Sequence, residues 1–271
     1  MSQYEILAWT ALISFCVQLV GFILGFTVCK GKGDYYYDLF GMCGFLGQLL
    51  FVVLFKCLNY DGLSPSQIIG ICFIAIWTIR LGSFLVYRVR KIQGDSRFDD
   101  RKNDFIRFFW AYFFQWLWNY ISALPVLFLL CREKDDVEDF GSPFEIIGII
   151  GYVFGLGLET IADFQKLFFK LDERNKGKFI DQGLWSYSRH PNYLGEFTLW
   201  VAIFIFCVPN LEGFEFFSAL SPIFIIVLIS FISGIPLQEE QADKRWGTLP
   251  EFQLYKKRTW VLFLKPSCLN N

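Results

Sequence analysis

The chain has 271 residues, of which 54% are hydrophobic and 20% aromatic, with a net charge of −1. The hydrophobic residues fall in long runs and exceed what a soluble core needs, so the composition excludes an ordinary soluble domain. We expect an integral membrane protein whose main surroundings are the lipid bilayer, and we expect no nucleic-acid partner.

Seven apolar segments have about the length that crosses a bilayer core, ~20 residues. They are residues 5–29, 38–58, 66–87, 105–130, 143–168, 192–208 and 214–236. We therefore predict an all-α fold, a polytopic transmembrane helical bundle of about seven spans. The sixth segment is short, which indicates a tilted or incomplete span. No cleavable signal peptide is expected, because residues 1–5 lack a basic residue and the first apolar segment is long enough to span.

Lysine and arginine are distributed unevenly among the loops. All but four of the 25 occur in alternate loops and in the tail after Pro236. The opposite loops contain only Arg132 and Lys134, among several acidic residues. By the positive-inside rule, this pattern predicts that the N-terminus lies outside and the C-terminus in the cytoplasm.

The sequence shows no internal division. It has no repeat, low-complexity tract or linker, so we predict a single membrane domain over residues 1–271.

The eight cysteines include no Cys-x-x-Cys pair and lie mostly in the apolar segments. We therefore interpret them as small packing residues and expect no metal site.

One polar stretch, residues 183–196, lies between two apolar segments and reads Gly-Leu-Trp-Ser-Tyr-Ser-Arg-His-Pro-Asn-Tyr-Leu-Gly-Glu. It contains the chain's only histidine, His190, beside Arg189. Pro191 predicts the first position of a helix, where a missing N–H group costs no hydrogen bond. The free N–H groups of that helix start favour an anion site of the kind that holds phosphate. A capped helix start at the membrane surface is an equally good interpretation.

Other polar segments lie on the same predicted side of the membrane. Glu159 and Asp163 are four residues apart near the end of span five, so their carboxylates share a helix face. An acid at the depth of Glu159 usually indicates a functional site, whereas Asp163 could form ordinary ion pairs on a helix surface. Arg97, in the third loop, could pair with a nucleotide phosphate or with a neighbouring acid. Glu239 and Asp243, also four apart, could belong to an ordinary interfacial helix. Their convergence on one side predicts a common site.

Four motifs carry a resemblance to a known family. They are Arg97-Phe98 with flanking acids, Glu-x-x-Ala-Asp-x-Gln at 159–165, Arg-His-Pro-Asn-Tyr-x-Gly-Glu at 189–196, and Trp246-Gly247 followed by Tyr-Lys-Lys-Arg-Thr at 255–259. Over residues 79–265 they resemble the steroid 5-alpha-reductase-like membrane proteins, in particular their uncharacterised reductase-like branch. The core motif is also similar to sterol carbon-14 reductases and, less closely, to isoprenylcysteine carboxyl methyltransferases. Residues 1–60 match no motif.

The resemblance implies an enzyme that binds NADPH on its cytoplasmic side and transfers a hydride to a conjugated C=C bond of a hydrophobic lipid or sterol-like enone. The cofactor-binding residues that it implies are Arg97, Asp163, Arg189, His190, Asn192, Tyr255 and Arg258. Tyr193 would also line the cofactor site. With Glu159 or Glu196 it is a candidate for the catalytic proton donor, and Tyr120 is the other candidate. The implied membrane is the endoplasmic reticulum, with the mitochondrial inner membrane as the alternative.

The sequence is also compatible with two other functions. The first is a methyltransferase that uses S-adenosylmethionine on a lipid or prenyl-cysteine group, because the superfamily fold hosts both reactions. The cluster of Arg97, Arg189 and Arg258 favours NADPH, since the methyl donor lacks its phosphates. The second is a non-catalytic accessory subunit of a larger membrane complex, for example a mitochondrial one. The intact core motif counts against that role.

Overall fold

The computed structural model describes residues 2–27, 34–60, 62–92 and 104–263. Seven of its helical segments are long and apolar enough to cross a membrane. The predicted all-α, seven-span architecture is therefore confirmed, whereas the orientation of the termini stays a prediction. Arg97 lies outside the described residues.

The α-helices of the described residues are named here in chain order. They are α1 (Gln3–Thr27), α2 (Asp34–Asn59), α3 (Pro65–Ile92), α4 (Phe105–Cys131), α5 (Pro143–Leu171), α6 (Pro191–Cys207), α7 (Leu220–Val227), α8 (Ile235–Trp246) and α9 (Pro250–Arg258). The helices α1 to α5 correspond to the first five predicted spans. Most of them extend a few residues past the apolar run, because helical hydrogen bonding continues into the polar flanks.

The seventh span is segmented, although the sequence predicted one continuous helix over 214–236. A 3₁₀ turn at Gly213–Ala219 leads into α7, and a π-helical turn at Leu228–Ile232 follows. The π turn closes with a bond from the Ser233 N–H to the Leu228 carbonyl at 2.8 Å. The chain then bends at Gly234, where an added Cβ would lie 2.6 Å from the Ile229 side chain, so glycine is required there. The polar helix α8 begins after this bend.

The chain divides into two compact units. The first unit comprises Met1–Ile146 and Ile203–Ser221, and the second unit comprises Ile147–Ala202 and Pro222–Asn271. The predicted single domain stays a prediction.

Arg132 forms hydrogen bonds with several elements at one end of the first unit. Its guanidinium donates to Glu212 Oε1 at 3.0 Å and to Glu215 Oε2 at 2.9 Å. Its backbone carbonyl accepts hydrogen bonds from the side chains of Lys56 and Gln67. These bonds join the end of α4 to α2, α3 and the 3₁₀ turn before α7. The contacts with the two glutamates raise the pKa of Arg132, although burial acts in the opposite direction. The group therefore stays charged.

Candidate functional site

The polar stretch 183–196 lies in the second unit and starts α6 at Pro191, as predicted. The preceding residues pair with the chain that follows α9. Ser188 and Trp260 form a parallel bridge, and the backbone N–H groups of Arg189 and His190 donate to the Trp260 and Val261 carbonyls at 2.9 and 3.1 Å. This pairing holds the Arg189 and His190 side chains next to α8 and α9, where their partners lie.

Arg189 is held by a carboxylate and by backbone carbonyls. Its Nε donates to Glu239 Oε1 at 3.2 Å, and its Nη2 lies 3.1 Å from Glu239 Oε2. Its Nη1 donates to the carbonyl oxygens of Lys256 and Thr259 at 3.0 and 3.3 Å. Every terminal nitrogen of this guanidinium therefore binds the protein itself. The side chain joins α8 and α9 to the start of α6.

His190 is buried, with 3% of its surface exposed. Its Nε2 lies 2.9 Å from Glu239 Oε1, and its ring stacks on that of Tyr193 at a centroid distance of 5.6 Å. Its Nδ1 has no hydrogen-bond partner among the described residues. Burial lowers the pKa of His190, and the bond to Glu239 opposes part of this effect. The ring is therefore neutral at pH 7.

The helices α5 and α6 cross at glycines. An added Cβ on Gly195 would lie 2.5 Å from the Glu159 backbone nitrogen and 2.7 Å from the Gly155 carbonyl oxygen, so no larger residue fits. This approach lets Asn192 Nδ2 donate to Asp163 Oδ1 at 3.2 Å. This bond joins two of the four motifs that carry the resemblance. Asn192 Oδ1 is buried and has no partner among the described residues.

The predicted acids are buried in this crossing region. Glu159 is 3% exposed on α5, and Glu196 is 9% exposed on α6. Asp163 is 8% exposed. Three carboxyl groups within helices of one membrane unit are costly to bury, which supports the functional interpretation of these positions.

Tyr193 belongs to a chain of polar side chains. Its hydroxyl accepts a bond from Gln238 Nε2 at 2.5 Å, and Gln238 Oε1 accepts one from Lys166 Nζ at 2.8 Å. The Lys166 ammonium lies 4.4 Å from the centre of the Trp185 ring. Tyr120, the other candidate proton donor, belongs to the first unit, where its hydroxyl donates to the Leu7 carbonyl at 3.2 Å.

The last two predicted cofactor residues have partners within the second unit. The Tyr255 hydroxyl donates to the Trp185 carbonyl at 2.8 Å, and burial raises its pKa, so it remains a donor. Arg258 Nη2 lies 3.2 Å from Asp181 Oδ2. These contacts fix the loop before α6 against α9.

The structure thus brings Asp163, Arg189, His190, Asn192 and Tyr193 together within the second unit, while Arg97 is outside the described residues. Among the described residues, no group of three or more His, Cys, Asp or Glu side chains could hold a metal ion.

The sequence placed Glu239 on the same predicted side as the other polar segments but gave it no role in the site. The structure shows it binding both Arg189 and His190, with Lys256 Nζ 3.8 Å away. Its spacing from Asp243 marked a polar helix face in the sequence. The pairing with Arg189 and His190 could not be found from that spacing, because these partners lie 50 and 49 residues away in the sequence.

Comparison with known proteins gives two positive findings. The chain is 38% identical over 87 residues to "Probable O-methyltransferase ustE" of Ustilaginoidea virens, and the matched part is 30% of either chain. No solved structure matches it. A family model matches residues 32–259 and so begins well before residue 79, where the region of resemblance begins. The chain therefore belongs to the family described as "Protein of unknown function (DUF1295)", a domain of the steroid 5-alpha-reductase-like superfamily.

Proposed function

We propose that this chain is a membrane methyltransferase that uses S-adenosylmethionine, with the cofactor site in the second unit. The observation that carries the proposal is the pairing of the arginines. Arg189 is bound by Glu239 through two nitrogens, and Arg258 pairs with Asp181. NADPH carries three phosphate groups, which need cationic side chains that are free to bind them. The paired arginines therefore no longer favour NADPH over the methyl donor.

The buried polar atoms fit a ligand with amine and hydroxyl donors. S-adenosylmethionine has an amine, ribose hydroxyls and a sulfonium cation, but no phosphate. His190 Nδ1 and Asn192 Oδ1 are buried acceptors without a protein donor, and Asp163 lies beside Asn192. Asn192 Oδ1 and Asp163 would hold the donor groups of the cofactor, and His190 Nδ1 would face the methyl acceptor. Glu159 and Glu196 would supply the negative charge that a sulfonium requires.

When bound, S-adenosylmethionine supplies a methyl group that an oxygen atom of the acceptor can attack. The chain's own contribution to this step is at His190. Because the Nε2–H group donates to Glu239, the lone pair of the neutral ring is on Nδ1. That atom can take the proton of an acceptor hydroxyl as the oxygen attacks. A chain that lies in the bilayer would take a hydrophobic acceptor.

The named relative supports this proposal. Its description is that of a probable O-methyltransferase, and the alignment is 38% identical over 87 residues. Since the alignment covers less than a third of either protein, the acceptor is argued from the membrane environment and from His190, and not from the relative.

A second candidate is an NADPH-dependent reductase of a hydrophobic enone. The hydrogen bond from Asn192 to Asp163 favours it, because that bond joins the two motifs shared with the reductase-like proteins. The start of α6 also offers N–H donors to an anion. In this function, Tyr193 with Glu159 or Glu196 would supply the proton.

Direct binding distinguishes these functions. Purified protein in detergent would be dialysed to equilibrium with tritiated S-adenosylmethionine or with NADPH. We expect saturable binding of S-adenosylmethionine, about tenfold weaker in Asn192→Leu, because that variant removes a buried acceptor, and nearly unchanged in His190→Gln, because His190 would act on the methyl acceptor. Asn175→Ala, in a loop of the same unit, is the control and should bind normally. Binding of NADPH alone would select the reductase. Binding of neither by a folded sample would overturn both proposals and favour an accessory subunit.

A further inference from the structure

Four amide side chains are buried in the first unit, close to the middle of their helices. They are Gln18 on α1, Gln48 on α2, and Gln115 and Asn119 on α4, and none is more than 5% exposed. We call them the amide cluster. A buried amide inside a membrane is costly unless both its donor and its acceptor are satisfied.

The nitrogens of the amide cluster all donate to backbone carbonyls of α2, at 2.9 to 3.2 Å. The acceptors are the carbonyl oxygens of Tyr37, Phe40, Gly41 and Gly44. Their spacing of i, i+3, i+4 and i+7 places them on one face of α2. These bonds fix the orientation of each amide, because a flipped amide would place its oxygen against a carbonyl oxygen.

Two glycines of α2 make room for these amides. A Cβ on Gly41 would lie 2.5 Å from Gln115 Nε2. A Cβ on Gly44 would lie 2.1 Å from Asn119 Nδ2 and 2.8 Å from Gln18 Nε2. Amides from α1 and α4 therefore meet over the same residue of α2. The cluster is a convergent arrangement from three helices.

The side-chain oxygens of the amide cluster differ from the nitrogens in their hydrogen bonding. All four carbonyl oxygens are buried, and none has a hydrogen-bond partner among the described residues. Lipid tails offer no donor, and native proteins rarely leave several neighbouring acceptors unfilled. The cluster itself carries no charge, so it suits a neutral donor better than an ammonium ion.

We propose that the amide cluster is a binding site for O–H donors, supplied by buried water molecules or by the hydroxyl of a membrane-soluble alcohol. This site is independent of the proposed methyltransferase function, and it would remain if neither cofactor bound.

The first test is an experimental density map at a resolution that shows ordered water. We expect density within hydrogen-bond distance of at least two of the four oxygens, in the region of Gln115 and Asn119. A rounded feature identifies water, and an elongated feature ending at the amides identifies a lipid alcohol. A map that resolves waters elsewhere and shows nothing beside the cluster would overturn the proposal.

The second test compares stability with a satisfied amide in the same unit. Gln67 is a matched control, since its Nε2 donates to the Leu129 and Arg132 carbonyls and its Oε1 accepts from the Ser64 N–H. With O–H donors bound, we expect Gln115→Met to lower the Tm by about 3 °C or more, as Gln67→Met should. If the oxygen has no donor, Gln115→Met loses only the bond to the Tyr37 carbonyl while it removes an unsatisfied oxygen, and its Tm would fall clearly less than that of Gln67→Met or would rise.

A third measurement separates the two sources of the hydroxyl. The Tm difference between wild type and Gln115→Met is measured before and after delipidation, then with added 1-dodecanol or dodecyl methyl ether. If a lipid alcohol is bound, delipidation removes the difference, and the alcohol restores it while the ether does not. If water is bound, the difference persists throughout. A difference that the ether restores as well as the alcohol would contradict an O–H donor site.

Discussion

His190 Nε2 lies 2.9 Å from Glu239 Oε1, and the same carboxylate binds the guanidinium of Arg189. One acid on α8 therefore positions two adjacent residues of the core motif. The ring is held with one nitrogen bonded and the other, Nδ1, available to a ligand.

The first prediction concerns pH. Burial lowers the pKa of His190, so the folded protein takes up a proton less readily than the unfolded chain. The lowered pKa contributes stability above the unfolded pKa of about 6.5, and this contribution is lost as the pH falls below that value. We expect the Tm to decrease between about pH 7 and pH 5.5, and to decrease less in His190→Gln. The groups that face this ring are Glu239, Arg189, Lys166 and Tyr193, and they are unchanged in that variant.

The second prediction concerns Arg189. Replacing it with alanine leaves Glu239 without its bidentate partner and frees two carbonyls, so we expect a loss of about 3 kcal/mol in the free energy of unfolding. Arg174→Ala is the control, because that side chain is 88% exposed and its pair with Asp172 contributes little. Equal stability of the two variants in denaturant titrations would mean that Arg189 has no structural role.

The third prediction concerns the crossing of α5 and α6. Gly195→Ala forces the helices apart, so we expect a loss of about 2 kcal/mol in stability and weaker cofactor binding. The matched control is Gly157→Ala on α5, where an added Cβ meets nothing within 4 Å. That variant should be slightly more stable, because alanine has the higher helix propensity. Thermal unfolding of both variants checks this, and a stable Gly195→Ala protein would contradict the close crossing.

The fourth prediction concerns Tyr255. Its hydroxyl donates to the buried Trp185 carbonyl, so Tyr255→Phe should cost about 1 kcal/mol of stability. We expect the affinity for S-adenosylmethionine to change by less than about twofold, because this residue positions the loop before α6. Tyr187→Phe, at a 40% exposed position, is the control for stability. A large loss of binding without a loss of stability would place Tyr255 in direct contact with the cofactor.

Much of the fold followed from the sequence. Apolar segments of bilayer length predicted the spans, and the chemistry of proline placed the start of α6 at Pro191. The break in the last span was missed, because residues 228–235 are mostly apolar and the predicted span included Ser230, Ser233 and Gly234. Gly234 and Pro236 are sequence signals for a bend, and the packing of Gly234 against Ile229 shows why glycine is needed there.

The site was predicted in part. The core motif and the carboxylates of α5 were expected to share one site, and the structure places Asp163 beside Asn192. The partners of the arginines could not be predicted, since Glu239 and Asp181 are distant from Arg189 and Arg258 in sequence. The charge argument for NADPH assumed that the arginines were unpaired. The ion pairs of Arg189 with Glu239 and of Arg258 with Asp181 remove that assumption.

The pairing of residues 188–190 with residues 260–262 has a consequence for biogenesis. The ribosome makes the second of these segments long after the core motif, when all seven spans have been synthesised. Insertion into the bilayer and completion of the site are therefore separate events. A chain that stops before Trp260 would reach the membrane with its spans intact but without the backbone partner of Arg189 and His190.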